Sequence, residues 1–418
     1  MPLMAKIALL FVVFVDLIGQ GLVFPIINEL IMAPDSPLLP AGTPDAARHL
    51  DYGLVIGSFF LAWFLGVVYV ARLSDSIGRK QALMICLGGA LLGYVLTIAA
   101  LYVGSLWLLI LGRAVSGFTA GNQPIAQAAM VDASTDAADR DRNMGYIVTG
   151  ISFGLVGGPI IGGIFSDQGL LGSIASVEAP FYASLVLVIV AMLLVLVFFE
   201  DARVERRPFV FRPQEIVENL WQVTRHPLVL RLLPVYVVFM VANLTFYIFI
   251  DNFLTSAFDY GIVGGSAVML VIGFALAFSS TFLVQPTQAR FDKHLIIALT
   301  FGLWAGAALA VAASPLALLC FVPVFLFYFC FGVAYPTMIG IFSGSVGEAD
   351  QGWIMGITTA VFTLVGGIMS LIGGWLMSVD IRLPFYISAT AAALGLLLVA
   401  ASWSRPEIRR LTGRATGD

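Results

Sequence analysis

Long apolar runs, interrupted at intervals by short polar clusters, set the pattern of this chain. A bilayer core roughly 30 Å thick takes about 20 apolar residues per helix, and twelve runs meet or nearly meet that length. The first six are Ile7–Ile31, Gly53–Val70, Gln81–Val103, Ser105–Val131, Met144–Phe165 and Pro180–Phe199. The second six are Leu233–Leu254, Gly264–Val284, Leu295–Ala313, Pro315–Phe342, Gly352–Met377 and Leu383–Trp403. Glycine and proline inside them are tolerable, because neighbouring helices re-satisfy the freed backbone groups. The first run follows Lys6, as a signal peptide would. It is too long for one, contains Asp16 and lacks a small-x-small cleavage site, so it is expected to stay as a span.

Composition supports the membrane reading. The chain of 418 residues is 60% hydrophobic and 11% charged, against roughly 25% charged in soluble domains. Placing the N-terminus in the cytoplasm puts 18 of the 21 Lys and Arg inside, Arg48 and Arg382 outside, and Arg113 within a span. That bias predicts both termini cytoplasmic. A net charge of −4 gives no reason to expect a nucleic-acid partner. Cys86, Cys320 and Cys330 lie in apolar runs without metal-ligand spacing, and no metal is expected.

The connection from Glu200 to Leu232, rich in arginine, divides the chain. The expected organisation is an N-terminal bundle at 1–199, a linker at 200–232 and a C-terminal bundle with a short tail at 233–418. Pro213 is expected to start a short surface helix with Ile216, Leu220 and Val223 on one face. The halves share a local repeat. Phe153-Gly-Leu-Val-Gly-Gly158 in span five matches Phe362-Thr-Leu-Val-Gly-Gly367 in span eleven, and Asn143-Met-Gly145 matches Ile354-Met-Gly356. Parallel repeats of this kind place substrate near the midplane between the halves.

Three segments carry the chemistry. After span two comes Ala71-Arg-Leu-Ser-Asp75-Ser-Ile-Gly78-Arg79-Lys80, whose cations anchor it inside and whose Asp75 suits a neighbouring arginine or a helix N-terminus. Span four carries Leu109-Ile-Leu-Gly-Arg113-Ala-Val-Ser-Gly117, with Arg113 in hydrocarbon, a placement costing about 2.5–3.5 kcal/mol on insertion scales, so a partner or a wet cavity is expected. On a 3.6-residue wheel Ser116, Gln123 and Gln127 share its face. Span five carries Gly150, Gly154, Gly158, Pro159, Gly162 and Gly163, a smooth face for close helix packing with a proline that invites a kink.

These segments resemble the motifs of the major facilitator superfamily. Leu73, Asp75, Gly78, Arg79 and Lys80 resemble its Gly-x-Leu-x-Asp-x-x-Gly-Arg-Lys loop, with Ala71 in place of the leading glycine. Arg113 and Gly117 resemble its span-four Arg-x-x-x-Gly motif. Gly158, Pro159, Gly162 and Gly163 resemble its antiporter motif, and Asp16 to Pro25 resembles the first span of tetracycline and multidrug antiporters. The resemblance implies an all-α membrane protein of 12 transmembrane helices in two pseudo-symmetric six-helix bundles, working by alternating access. It implies that the loop helps hold the outward-facing state and that the span-four arginine takes part in proton coupling. The chain departs from tetracycline antiporters in carrying no mid-membrane histidine and in having Gly93 and Tyr94 where they carry an aspartate in span three.

Asp16 and Arg113 are the ionisable residues set well inside the hydrocarbon. At 1.5 Å per residue their backbone depths differ by roughly 5 Å, within an arginine's reach. They are expected to form the proton-coupling site, with Gln20 one turn from Asp16. Phe24, Trp63, Gln123, Gln127, Tyr146, Phe153, Tyr236, Phe239, Asn243 and Tyr247 are the expected substrate-cavity residues. The expected function is proton-coupled export of an amphipathic small molecule across a bacterial-type inner membrane. No cofactor is expected beyond the proton gradient. The expected partners are the substrate, protons and the bilayer, with the chain a monomer. A metabolite or siderophore carrier of the same fold stays open as the alternative. No nucleophile–base pair, phosphate loop or metal cluster suggests an enzyme.

Overall fold

The computed structural model describes residues 2–135, 137–166, 171–172, 175–201, 218, 221–347 and 350–413, and every regular element among them is helical. The helix expected at Pro213, Ile216 and Leu220 lies outside the described residues; Val223 opens a single 3₁₀ turn, Val223–Arg225. The first half supplies α1 (Leu3–Met32), α2 (Asp45–Ile77), α3 (Arg79–Val103), α4 (Leu106–Phe118), α5 (Asn122–Asp132), α6 (Ala137–Ser166) and α7 (Ala179–Phe198). The second supplies α8 (Pro227–Phe258), α9 (Ile262–Phe282), α10 (Val284–Arg290), α11 (Lys293–Ala312), α12 (Ala317–Gly344), α13 (Gln351–Val379), α14 (Leu383–Ser402) and α15 (Pro406–Thr412).

Local sequence sets the ends of these helices. Pro180, Pro227, Pro384 and Pro406 each stand in a first turn, where the missing N–H costs no helix bond. Gly104 ends α3 in the left-handed conformation, and Ser105 accepts from the Leu108 N–H to start α4. Arg48 is buried rather than exposed as a loop cation. Its guanidinium donates to the carbonyls of Ile31, Ala33 and Pro34 and so caps the end of α1.

Among the described residues, eleven helices are long and apolar enough to cross a bilayer in one piece. The run at 105–131 is the exception, since α4 stops at Phe118 and α5 begins at Asn122. Pro124 explains the break. In one continuous helix it would leave the Ala120 carbonyl without a donor and press its ring on that group. At the third position of α5 its absent N–H is harmless. Thr119 completes the stop by turning its hydroxyl back onto the Val115 carbonyl.

The chain divides into two compact units, Met1–Phe211 with Tyr260–Leu270, and Arg212–Asp259 with Val271–Asp418. In the first, α1, α3, α5 and α7 enclose an apolar core including Val12, Val13, Leu83, Cys86, Ile125, Ala126 and Ala191. Gly150, Gly154 and Gly157 of α6 face α1: a Cβ on Gly154 would strike the Leu17 side chain and the Phe14 carbonyl. Helices α2 and α4 cross still more closely. Side chains at Gly66 and Gly117 would run into the backbones of Phe118 and Phe59 respectively. The second unit is packed by aromatics. Trp304 of α11 stacks on Phe327 of α12, centroids 4.4 Å apart and planes 2° from parallel, and donates to the Phe327 carbonyl.

Candidate functional site

The break in span four opens a helix N-terminus inside the apolar core, and Asp16 closes it. The Asn122 side-chain amide donates to Asp16 Oδ1 at 3.1 Å, and the Gln123 backbone N–H also bonds the carboxyl group. The first amides of a helix have no partner within it and carry the positive end of its dipole. In hydrocarbon no water meets that need. A carboxylate from α1 does so, and in turn receives hydrogen bonds that replace the water it has lost. Asn122 is 2% exposed, and its Oδ1 has no hydrogen-bond partner.

Arg113 does not pair with Asp16. Its guanidinium lies 4.3 Å from the centroid of the Phe59 ring of α2, and its Nε is buried without a hydrogen-bond partner. A cation over an aromatic face is a recognised alternative to a carboxylate partner. A difference in depth within an arginine's reach is the ground for expecting a pair, but α4 turns the side chain toward α2. Tyr94 of α3 is near enough to feel both groups. Its phenol packs against Gly19, hydrogen-bonds Ser184 of α7 and faces both Arg113 and Asp16. The expected polar stripe is also interrupted. Ser116 presses on Gly93 of α3, while Gln123 and Gln127 belong to α5, so no single helical wheel joins them to Arg113.

The other expected residues are dispersed. The Gln20 side chain lies outside the described residues. Phe24 is buried, and Trp63 is half-buried against Phe59 and Phe60. Gln123 and Gln127 are half-buried, whereas Tyr146 and Phe153 are exposed on α6. Tyr236 and Phe239 are fully buried. Tyr236 donates to the Thr358 carbonyl, and Phe239 sits between Trp304 and Phe331. Asn243 is buried with Oδ1 unpartnered, and Tyr247 rests edge-on against Tyr328. Gly158, Pro159, Gly162 and Gly163 lie within an uninterrupted α6.

The expected loop is a turn of one residue, Gly78, and an ion network surrounds it. Arg79 bonds Asp75 at 2.6 Å and Asp132, the last residue of α5, at 2.9 Å. Gly78 adopts φ +105°, a conformation open to glycine. A side chain there would also collide with Asp201, whose carboxylate accepts the Lys80 N–H at 2.7 Å and caps α3. Lys80 reaches the Leu196 carbonyl at the end of α7, and Leu73 is half-buried. At the Lys6 end of α1, Lys6 joins Asn143 at 2.7 Å and Asp139 at 3.4 Å.

Sequence reasoning missed Asn122, Tyr94, Phe59, Asp132 and Asp201. Gly121-Asn-Gln-Pro124 could have given the first, since a proline inside an apolar run breaks the helix before it and is tolerated in the first turn of a new one. Nothing local marks the others.

Many apolar spans, one broken around a buried carboxylate, define a polytopic membrane transporter. The chain belongs to the Major Facilitator Superfamily, whose family model matches residues 9–368. The tetracycline resistance protein, class C, of Escherichia coli is 30% identical over 377 residues, 86% of each chain. The quinolone resistance protein NorA of Staphylococcus aureus is 25% identical over 407 residues, 94% of each chain. The human organic anion transporter shares the fold with a TM-score of 0.70 at 17% identity, over 96% of this chain and all of that one. The family and these relatives are transporters, not enzymes.

Proposed function

We infer that this chain is a proton-coupled secondary transporter that exports an amphipathic, drug-like small molecule by alternating access. Its membership of the superfamily and its similarity to tetracycline and quinolone resistance proteins support export over the metabolite-carrier alternative. The bias of Lys and Arg supports both termini on the cytoplasmic side of a bacterial inner membrane.

Asp16 is assigned as the proton carrier. The observation that carries this reading is a carboxyl group in mid-α1 held by an amide side chain and a helix start, with no ion pair to Arg113. A carboxylate locked to a guanidinium resists protonation, whereas one held by neutral donors is freer to take up and release a proton. Arg113, 97 residues along the chain, is then free to act through Tyr94 or to meet the substrate.

Everted membrane vesicles test the assignment. Adding tetracycline or a quinolone to energised vesicles of the wild type is expected to dissipate the pH gradient. Asp16→Asn is expected to lower proton-driven transport at least about 100-fold, the loss of an essential proton-transfer group, while substrate binding survives. Undiminished proton-driven transport by Asp16→Asn refutes the carrier role. An unchanged gradient with every member of a broad compound panel refutes antiport.

A further inference from the structure

Asn122 is 2% exposed, donates through Nδ2 to Asp16 and leaves Oδ1 with no partner. A buried acceptor without a donor is costly and unusual enough to need a reason. A carboxamide carries donors on one side and an acceptor on the other, and half a turn about its last torsion exchanges them. Asp16 changes in the complementary way. As a carboxylate it only accepts, and once protonated it owns an O–H that must be donated.

We propose that Asn122 is the positioning residue that reads the protonation state of Asp16, donating to the carboxylate and, after its amide turns, accepting from the carboxylic acid. The proposal deepens the carrier role inferred for Asp16 and rests on it. The balance is simple. One proton adds to a carboxylate oxygen, the hydrogen bond from Asn122 Nδ2 to that group breaks, and a bond from the new O–H to Asn122 Oδ1 forms. The acceptor then has its donor and Nδ2 takes the place Oδ1 held, so one hydrogen bond joins the pair in either protonation state.

The location gives the exchange a mechanical consequence. Asn122 is the first residue of α5, immediately after the break at Thr119, Ala120 and Gly121. An ionised Asp16 holds α5 by its Gln123 N–H and by the dipole, and neutralising it removes most of that attraction. The far end of α5 is Asp132, which Arg79 ties to Asp75 near the end of α2. A change at Asp16 therefore reaches the ion network through one short rigid helix of 11 residues.

The groups facing Asp16 are few. From α3 come the Cys86 thiol and the Tyr94 phenol, and from α5 come Asn122 and Gln123. Arg113 of α4 bears on Tyr94 rather than on Asp16, and α2, α6 and α7 bring no charged group to it among the described residues.

pH-difference infrared spectroscopy on the purified full-length protein, without substrate, tests this. The band that disappears in Asp16→Asn identifies the Asp16 carboxyl group. In Asn122→Leu its titration is expected to move to higher pH by about one unit, as one hydrogen bond to the charged form is lost. Asn122→Ser, whose hydroxyl both donates and accepts, is expected to stay within about 0.3 unit of wild type. A side-chain amide band, absent from Asn122→Ser, is expected to shift in wild type with the same midpoint as the carboxyl band. An unmoved midpoint in Asn122→Leu overturns the proposal. If that variant does not fold, an amide band that stays fixed while Asp16 titrates in wild type overturns it equally. Absence of any Asp16 carboxyl band is a different failure: the carrier role itself then falls, and this inference with it.

Discussion

Span four and span ten occupy corresponding places in the two halves, yet they are built in opposite ways. Span four is broken at Thr119–Gly121, threaded with glycine, and carries both a guanidinium laid over Phe59 and the helix start that Asp16 caps. Span ten is α12, continuous over 28 residues despite Pro323 and Pro336. Its Phe327 and Phe331 are stacked into an aromatic block with Phe239 and Trp304. The same topology is thus held in one half by backbone approach and polar bonds, and in the other by ring packing. Bilayer lipid offers helices no hydrophobic gain over one another, so association rests on close packing and hydrogen bonds. Small residues achieve it by letting backbones touch, rings by filling volume. Only the first method leaves polar backbone within reach of an ionisable group.

The sharpest way to break this comparison is at the α2–α4 crossing. A Cβ on Gly117 would meet the carbonyl and Cα of Phe59, which belong to backbone and cannot swing aside. Gly117→Val is expected to destabilise by about 4 kcal/mol, the severe end of overpacking. It should also displace Phe59 from Arg113. Thermal unfolding in detergent reads the first effect and loss of transport the second. A variant with near wild-type stability would mean that α2 and α4 separate easily.

In the second unit the matching change removes volume. Trp304→Ala takes away the ring between Phe239 and Phe327 and leaves the Phe327 carbonyl without its indole donor. A loss of about 3 kcal/mol is expected, within the usual range for an aromatic deleted from a packed core. Residual transport should keep its pH profile, because no group near Asp16 is touched. A shifted profile in Trp304→Ala would show that the aromatic block takes part in coupling.

The two halves also differ in how much of them the sequence disclosed. Eleven spans follow directly from run length and hydropathy, because the bilayer imposes its thickness on each run separately. Span four obeyed the same rule in composition, and its break went unread because apolar length says nothing about continuity. Pro124 did say it. The Asp16–Arg113 pairing failed for another reason. Depth along two helices is additive and can be counted from sequence, but the direction in which Arg113 points depends on how α4 is rotated against α2. That rotation is fixed by Gly66 meeting Phe118 and Gly117 meeting Phe59, a fit between residues about 50 positions apart in the chain. Asp201 capping α3 across more than 100 residues is of the same kind. Phe239 was legible as aromatic, but its stacking on Phe331 of α12 joins residues far apart in the chain.

The smallest expected effect concerns the Lys6 end of α1, where the first unit is held by charge. Asp139 is bonded by Arg142 at 2.5 Å, receives the Thr135 N–H and lies 3.4 Å from Lys6. The Arg142 hydrogen bond comes first among the causes that hold its carboxyl group below the ordinary value of 3.8, followed by Thr135, with Lys6 adding to them. A folded value depressed in this way contributes stability above the unfolded value, and the contribution is lost as pH falls through the folded one. Asp139→Asn should therefore melt below wild type at neutral pH, by a margin that stays level down to about pH 5 and closes below about pH 4. The second unit supplies the control. Its Arg231–Glu407 pair is solvent-exposed, and exposed pairs contribute little, so Glu407→Gln should show no such margin at any pH. A margin for Asp139→Asn that persists unchanged in acid would place the effect in packing rather than charge, and the contrast between a polar half and an aromatic half would lose its electrostatic part.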